Sequence, residues 1–317
     1  MKKMIPMLVS AAIAMPMVAL ADGPTVYGKF NTALLMTDNG TTDDVRLANS
    51  NSRLGVKGSI DLDAGLKAVY QLEYGIDPDE KGSDLGGHAA GVKDNGNSGI
   101  FTQRNGYVGI SGGFGTILGG SHDTPLKMAQ GKVDLFNDLP NADMTAVVNG
   151  EIRGQDVVAY ISPDFSGLKV IAASQAPDSG DAKGGTSVSV SYSADNLYVA
   201  LAMDSELGTL DETRVAATYT MGGLQLGALF NQSEKSDGST DSESGMLLSA
   251  GYTMDKFTYK LQLVQGDEQT AGEEMVAVGV DYALGGKSAL FAYYSSIDCD
   301  ACADATTTLA AGLSVSF

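Results

Sequence analysis

The stretch FTYKLQLVQ, residues 257–265, alternates between apolar side chains and polar or small ones. One set is Phe257, Tyr259, Leu261 and Leu263, and the other is Thr258, Lys260, Gln262 and Val264. A period of two residues predicts a β-strand with one apolar face and one polar face. The stretches TSVSVSYS (186–193) and MVAVGVDYAL (275–284) show the same alternation. The sequence therefore predicts strands of roughly nine to eleven residues that are apolar on one side only.

The connections between these strands alternate in length. Tight turns carry Gly, Asn or Asp where a hairpin needs an unusual backbone angle. There are seven of them, at 63–65, 112–114, 164–167, 194–196, 221–223, 254–256 and 285–287. Eight longer, polar and often acidic connections lie between them, at 37–52, 76–102, 122–152, 176–185, 205–212, 232–244, 266–273 and 297–306. Together these connections predict sixteen strands.

Tight turns on one rim and long loops on the other are typical of an outer-membrane β-barrel. In lipid every backbone polar group must be paired, so the sheet has to close on itself. Closure predicts that the last strand, which alternates up to Phe317, pairs with the first, at 25–36. We therefore predict an all-β protein, a transmembrane antiparallel barrel of sixteen strands around an aqueous lumen. The alternative all-β fold, a secreted β-sandwich adhesin, would have shorter strands with inward apolar faces.

Residues 1–21 have the pattern of a signal peptide: Lys2 and Lys3, a short apolar run, and an A-x-A cleavage pattern at 19–21. An N-terminal transmembrane anchor is the alternative. We expect the barrel domain to occupy residues 22–317. The net charge of −19 has the wrong sign for a nucleic-acid binder, so no nucleic-acid partner is expected. Nothing in the sequence predicts a cofactor or a metal site.

Several motifs in this order resemble the trimeric general-diffusion porins of Gram-negative outer membranes. They are VYGKFN (26–31), SRLGVKG (52–58), GLKAVYQLEY (65–74), RNGYVGISGGFGTILGG (104–120), DTPLK (123–127), RGQDVVAYISPDFSGL (153–168) and the terminal Phe317. The resemblance implies a homotrimer in the outer membrane, in contact with lipid and lipopolysaccharide, that passes small hydrophilic solutes and ions. It also implies that the third extracellular loop, about 121–150, folds into the lumen.

Residue parity predicts which charges face that lumen. In SRLGVKG and GLKAVYQLEY the cations Arg53, Lys57 and Lys67 alternate with apolar residues, and Lys29 lies beside Phe30. A cation on the lipid face would cost roughly 2–4 kcal/mol at mid-depth, so these side chains are expected to point inward. The resemblance adds Arg104 and Arg153 as pore-lining arginines.

These six cations are expected to form a basic wall opposite the acids of the third loop, Asp134, Asp138 and Asp143. Opposed charges across a narrow, wet passage would create a transverse field that favours polar solutes. Because the acidic outer loops raise the cation concentration at the mouth, the sequence predicts a weak cation preference.

Cys299 and Cys302 are the only cysteines, and in an exported protein this close pair favours a local disulfide. Metal binding and a redox motif are the alternatives. The entropic contribution of such a disulfide to stability is expected to be small, because the bond encloses few residues.

Two further functions are weighed against passive diffusion. A substrate-specific channel for sugars would need stacked aromatics along the lumen, and the inward faces offer few. A barrel enzyme would need a base beside a nucleophile, and the only histidines are His88 and His122. Asp123 follows His122 directly, and neighbouring residues of a strand point to opposite faces, which argues against an acid–base pair there.

Overall fold

The computed structural model describes residues 23–78, 101–177 and 184–317. The predicted signal peptide, most of the 76–102 connection and part of the 176–185 connection lie outside these residues. The strands are β1 Thr25–Asp38, β2 Asp43–Asn49, β3 Arg53–Asp61, β4 Lys67–Ile76, β5 Phe101–Gly112, β6 Gly115–Asp123, β7 Arg153–Ile161, β8 Leu168–Gln175, β9 Thr186–Ser193, β10 Leu197–Leu207, β11 Leu210–Met221, β12 Leu224–Lys235, β13 Glu243–Met254, β14 Phe257–Gly266, β15 Glu273–Gly285, β16 Ser288–Asp298 and β17 Thr306–Ser316.

The strands form one closed antiparallel sheet. Apart from β2 and β3, strands next to each other in sequence pair with one another, and β17 returns to pair with β1. β2 and β3 both pair with β1, with Thr32 opposite Asn49 and Lys29 opposite Arg53. They are therefore two halves of one strand, separated by an irregularity at 50–52. The seventeen segments thus form sixteen barrel strands, and the predicted barrel is confirmed.

β14 shows how the alternating pattern becomes two environments. Phe257, Tyr259, Leu261 and Leu263 are 40–47% exposed on the outer face of the barrel. On the inner face Gln262 and Val264 are almost fully buried, at 0% and 2%. An apolar band that stays exposed on the outside of a closed sheet is what a lipid environment requires. The buried inner side chains show that something inside the barrel covers them.

The closure of the barrel involves the terminal Phe317. Its backbone N–H donates to Gly28 O at 3.1 Å, and Gly28 N–H donates to Phe317 O at 3.2 Å. A Cβ added to Gly28 would lie 2.6 Å from the Phe317 ring, so this close approach requires glycine. The ring also stacks on Phe30, with centroids 6.2 Å apart. The last strand is therefore fixed to the first by its ladder and by ring contacts.

The seven predicted tight turns all connect neighbouring strands at one rim of the barrel, which we call the tight-turn rim. At the opposite, long-loop rim, two of the connections that lie wholly within the described residues differ from prediction. The loops predicted at 37–52 and 205–212 are short turns at 39–42 and 208–209, because β1, β2, β10 and β11 extend further than expected. Glu206, Gly208 and Thr209 have positive φ at the second of these turns, as a tight reversal demands.

The connection between β6 and β7, residues 124–152, contains the helix α1, Pro125–Ala129, and a 3₁₀ turn, Met144–Ala146. Another short 3₁₀ turn, Asp63–Gly65, joins β3 to β4. Of the helices within the described ranges, none combines the length and apolar character that crossing a membrane would take.

Candidate functional site

We call residues 124–152 the inner segment, because their contacts lie on the inward face of the sheet. Thr124 caps α1, its Oγ1 accepting from Lys127 N–H at 3.1 Å, and Pro125 occupies the first turn. Further along, Asp134 accepts from the N–H groups of Phe136 and Met144 at 2.8 and 2.9 Å. These local hydrogen bonds give the segment a compact fold instead of an extended one.

The apolar side chains of the inner segment complete a core with the inner face of the barrel. Three clusters of buried residues form. The first joins Phe136, Leu139 and Ala142 to Ala33, Leu35, Ala277, Phe291, Tyr293 and Ala310. The second joins Val133, Met144, Val147 and Val148 to Ala216, Leu229, Leu247, Val264 and Met275. The third joins Leu126 and Ala129 to Ala200 and Ala202 of β10. The segment therefore covers β1 and β10–β17 on the inside.

Polar bonds fix the segment over the same strands. The Tyr293 hydroxyl donates to Pro140 O at 2.7 Å, and Asn141 Nδ2 donates to Thr308 Oγ1 at 2.9 Å. Gln262 accepts from Leu135 N–H at 2.9 Å. The middle of the segment is thus held by both packing and hydrogen bonds. The apolar clusters of the segment contain no residue of β3 to β8, which form the other side of the lumen.

Asp138 connects the inner segment to two of the predicted wall cations. Its Oδ2 lies 3.1 Å from Lys29 Nζ and 2.9 Å from Arg53 Nη2. Burial alone would raise the pKa of Asp138, but the adjacent Arg53 and Lys29 lower it to about 2. Asp138 also has a φ of +69°, a region that Asp and Asn tolerate better than most residues. It is therefore an ionised carboxylate, set against the wall by its backbone.

Arg104 on β5 pairs with a carboxylate on the neighbouring strand β4. Its Nε lies 2.7 Å from Glu73 Oε1, and the other carboxylate oxygen accepts from the Tyr27 hydroxyl at 2.9 Å. The β4–β5 ladder shifts here: Leu72 faces Gly106 and Tyr74 faces Gln103. This bulge sets Arg104 and Asn105 together opposite Glu73.

Asn105 continues the network toward the long-loop rim. Its Nδ2 donates to Asp123 Oδ2 at 2.9 Å, and its Oδ1 accepts from Arg153 Nε at 3.0 Å. Arg153 Nη2 and Lys127 Nζ lie 2.9 and 3.4 Å from Asp123 Oδ1. The arginines of β3, β5 and β7 thus follow one another around the uncovered wall, each beside a carboxylate.

The structure separates the predicted site residues into two groups. Lys29, Arg53, Arg104 and Arg153 join the network just described. Lys57 lies close by, its Nζ 4.9 Å from the centre of the Tyr27 ring. We call these five residues the wall cations.

Lys67 does not belong to this group. It begins β4 beside a tight turn and pairs with Asp61 at 2.8 Å, with both side chains well exposed. The structure does not bring Lys67 into the network of the other cations, because parity gives the face of a residue but not its depth.

Two of the three predicted loop acids serve the fold of the inner segment instead of facing the wall. Asp143 accepts from the N–H groups of Thr145 and Asp138 at 2.9 and 2.7 Å. Burial, and the neighbouring Asp143 carboxylate, raise the pKa of Asp134 well above its ordinary value. Burial also raises the pKa of Asp143. Among the three, Asp138 is the one that meets wall cations.

Sequence reasoning missed Glu73 and Asp123 as members of the site. Parity already placed Glu73 inside the barrel, but nothing local showed that it would pair with Arg104 across a bulge. Asp123 follows His122, whose Nδ1 contacts the backbone oxygen of Asp123 at 2.7 Å, so the two side chains form no acid–base pair. Both acids could have been found by looking for an inward-facing carboxylate on the strand next to one that carries an inward-facing arginine.

Cys299 and Cys302 form a disulfide in the connection between β16 and β17, with Cα atoms 5.1 Å apart. Cys302 N–H also donates to Cys299 O at 3.0 Å, so the backbone turns at this point. The bond lies at the long-loop rim, away from the wall cations.

Comparison with protein families gives one match over most of the chain: residues 8–301 fit the family described as Gram-negative porin. Among curated proteins, the major outer membrane protein P.IB of Neisseria gonorrhoeae is 30% identical over 180 residues. That alignment covers 53% of this chain and 46% of the relative. The chain therefore spans about half the length of the curated relatives it matches.

Solved structures show the same barrel. An anion-selective porin from Comamonas acidovorans matches with a TM-score of 0.78 at 20% identity, covering 93% of this chain and 99% of that one. The trimer form of in-vitro folded OmpT of Vibrio cholerae matches with a TM-score of 0.64 at 16% identity, covering 93% and 99%. At these identities the likeness establishes the fold.

Proposed function

The chain belongs to the Gram-negative porin family of outer-membrane proteins, and we propose that it is a passive channel for small hydrophilic solutes and ions. The observation that carries this proposal is the charged, uncovered side of the lumen. A sixteen-strand barrel is wide enough for an aqueous passage. The inner segment closes one side of it, and the wall cations line the other. Porins are channels, so the enzyme alternative is set aside.

The charges beside this passage favour anions. In the described ranges, the network contains the five wall cations and Lys127, against the carboxylates of Asp138, Glu73 and Asp123. Glu151 also approaches Lys127, but it is bonded to Arg214. Opposite charges cancel only in part, so the lumen has a local positive excess. The cation preference expected from the outer loops ignored this excess, and we propose an anion preference instead.

Burial supports the same sign. The Lys29 and Arg53 side chains are 22% and 24% exposed, whereas Asp138 between them is 11% exposed. Arg104 is 18% exposed and its partner Glu73 is 10% exposed. At these two pairs solutes in the lumen meet N–H donors more than carboxylate oxygens, whereas Arg153 and Asp123 are about equally exposed, at 19% and 21%. The Comamonas acidovorans porin, described as anion-selective, is a relevant precedent.

Planar-bilayer recording of the purified protein tests both parts. We expect stepwise current increases and, in a salt gradient, a reversal potential of the anion-selective sign. Arg53→Gln should move this potential toward cations, while Lys67→Gln, a matched charge loss at the tight-turn rim, should leave it unchanged. A protein that inserts but gives no current steps would refute the channel itself. A cation-selective wild type would refute only the proposed sign.

We further propose that the protein is a homotrimer embedded in lipid and contacting lipopolysaccharide. The trimer form of the Vibrio cholerae structure supports the first point. The outward apolar side chains, such as Leu34 at 44% and Leu313 at 43% exposure, support the second. Native mass spectrometry from detergent should give three chains, and a monomer as the largest species would contradict the trimer.

A further inference from the structure

Arg214 is a charged side chain with no exposure to solvent. It lies on β11, is 0% exposed, and heads the set of the largest fully buried side chains among the described residues. A buried guanidinium is stable only when its donors and its charge are satisfied. Its partners therefore show what the residue does.

Those partners belong to the two ends of the inner segment. Nη1 lies 2.7 Å from Glu151 Oε1 and 3.5 Å from Leu126 O, and Nη2 donates to Asn149 O. Leu126 lies at the start of the segment and Asn149 and Glu151 lie at its end. A single planar group thus connects the entry and the exit of the segment to β11. Lysine could not reproduce this fork of donors.

The local backbone is shaped to allow this contact. Gly150 has a φ of +91°, and a Cβ there would lie 2.6 Å from Arg214 Nη2. Any larger residue at 150 would be strained and would also displace the guanidinium. On the barrel side Arg214 Nε donates to Asn231 Oδ1 of the neighbouring strand β12 at 3.0 Å, which fixes the plane of the guanidinium.

The contacts of Arg214 within the inner segment are with its two ends and not with its middle. The middle packs in two apolar clusters and meets the wall through Asp138. At the start of the segment Leu126 and Ala129 pack on Ala200 and Ala202 of β10, and at its end Asn149 N–H donates to Glu268 Oε2 at 2.8 Å. Each of these contacts holds one end only, whereas the Arg214 guanidinium contacts both ends. The barrel ladder itself does not involve the Arg214 side chain.

Taking the proposed channel function as its basis, we propose that Arg214 is the positioning residue of the inner segment. It holds both ends of the segment against β11 and so keeps the width of the passage constant. Loss of the fork leaves the barrel closed but lets the ends of the segment move.

The test compares Arg214→Lys and Gly150→Ala with the wild type in planar bilayers. Arg214→Lys keeps the charge and loses the fork. Gly150→Ala keeps every charge and disturbs the contact from the segment side. Both should raise open-channel current fluctuations severalfold, while the temperature at which the heated barrel unfolds on gels changes little. Gly113→Ala, at a tight turn where an added Cβ meets nothing within 4 Å, is the control for a glycine change in the barrel.

A covalent replacement gives a readout that general destabilisation would not. Asn149 Nδ2 lies 3.3 Å from Ser233 Oγ, so these two side chains meet, and we place the cysteine pair at these positions. In Arg214→Lys, made without Cys299 and Cys302, the oxidised bridge should restore quiet currents and reduction should reverse the effect. The same cysteine pair with Arg214 retained is the control.

Wild-type fluctuations in both single variants would overturn the proposal, as would a bridge that forms without restoring quiet currents. If Arg214→Lys does not fold, Gly150→Ala alone decides. A wild-type protein without channel activity would instead overturn the proposed function, so the two failures are distinguishable.

Discussion

Asp138→Asn removes one charge from the side of the lumen that the inner segment forms, with little change in side-chain shape. Asparagine is isosteric with aspartate and tolerates the φ of +69° at this position. The middle of the inner segment keeps its other bonds, including Tyr293 to Pro140 O and Asn141 to Thr308. The variant therefore changes the field beside Lys29 and Arg53 while the segment stays in place.

The size of the effect follows from Coulomb's law. At about 5 Å in water, one unit charge contributes about 0.8 kcal/mol, which screening at about 0.1 M salt reduces to about 0.5 kcal/mol. Anions then gain, and cations lose, about twofold in local concentration, a change of about fivefold in their ratio. The low-dielectric barrel wall screens less than water, so this value is a lower bound.

Reversal potentials in a salt gradient measure this ratio directly. We expect Asp138→Asn to move the potential toward anions, with little change in single-channel conductance. Asp237→Asn, the same charge change in an exposed loop at the long-loop rim, is the matched control and should have no effect. If the two variants give the same reversal potential, permeating ions do not pass Asp138 and the assignment of the narrow region is wrong.

Three other predictions follow from the same contacts. Arg53→Gln with Lys57→Gln should shift the reversal potential toward cations; an unchanged value would exclude these side chains from the pathway. The difference between wild type and Asp138→Asn should persist in acid, because the pKa of Asp138 is about 2. If the reversal potentials of wild type and Asp138→Asn become equal near the ordinary carboxyl pKa, this prediction is contradicted. The folded pKa lies below the unfolded value, so the stability that ionised Asp138 contributes is complete above the ordinary carboxyl pKa and is lost as pH falls toward 2. Replacing Cys299 and Cys302 by serine should lower barrel stability by at most about 2 kcal/mol, since the bridge closes so few residues; a large fall in melting temperature would show that it does more than join its own loop.

The strands and the tight turns could be predicted because lipid imposes strict rules on them. In β14 each outward residue must be apolar and each turn must reverse the chain at once, so both features are visible locally. The long-loop rim lies in water, and there the rules relax. β2 continues through polar residues such as Asp43, Asp44 and Arg46, which look like loop residues, although Val45 and Leu47 keep the outward alternation. The loop predicted at 37–52 was wrong for this reason.

The site could be predicted only as far as the face of each strand. Parity correctly placed Arg53 and Lys29 inside, but their partner Asp138 lies 85 and 109 residues away in the chain. Such pairing depends on how the inner segment folds, which has no short-range signal. The bulge that turns Arg104 and Asn105 together toward Glu73 is equally invisible to parity, since it breaks the period of two.

One signal for the inner segment was present in the sequence and was not used. Strands that line an open aqueous lumen should be polar on the inner face, yet β12 to β15 carry Leu229, Leu247, Val264 and Met275 there, each at most 2% exposed. Leaving such a side chain in water would forgo about 1.5–3 kcal/mol. Apolar residues on both faces of neighbouring barrel strands therefore indicate a covering element inside. This core explains why Asp134 and Asp143 support the segment, and why we assign the proposed selectivity to Asp138 and the wall cations opposite.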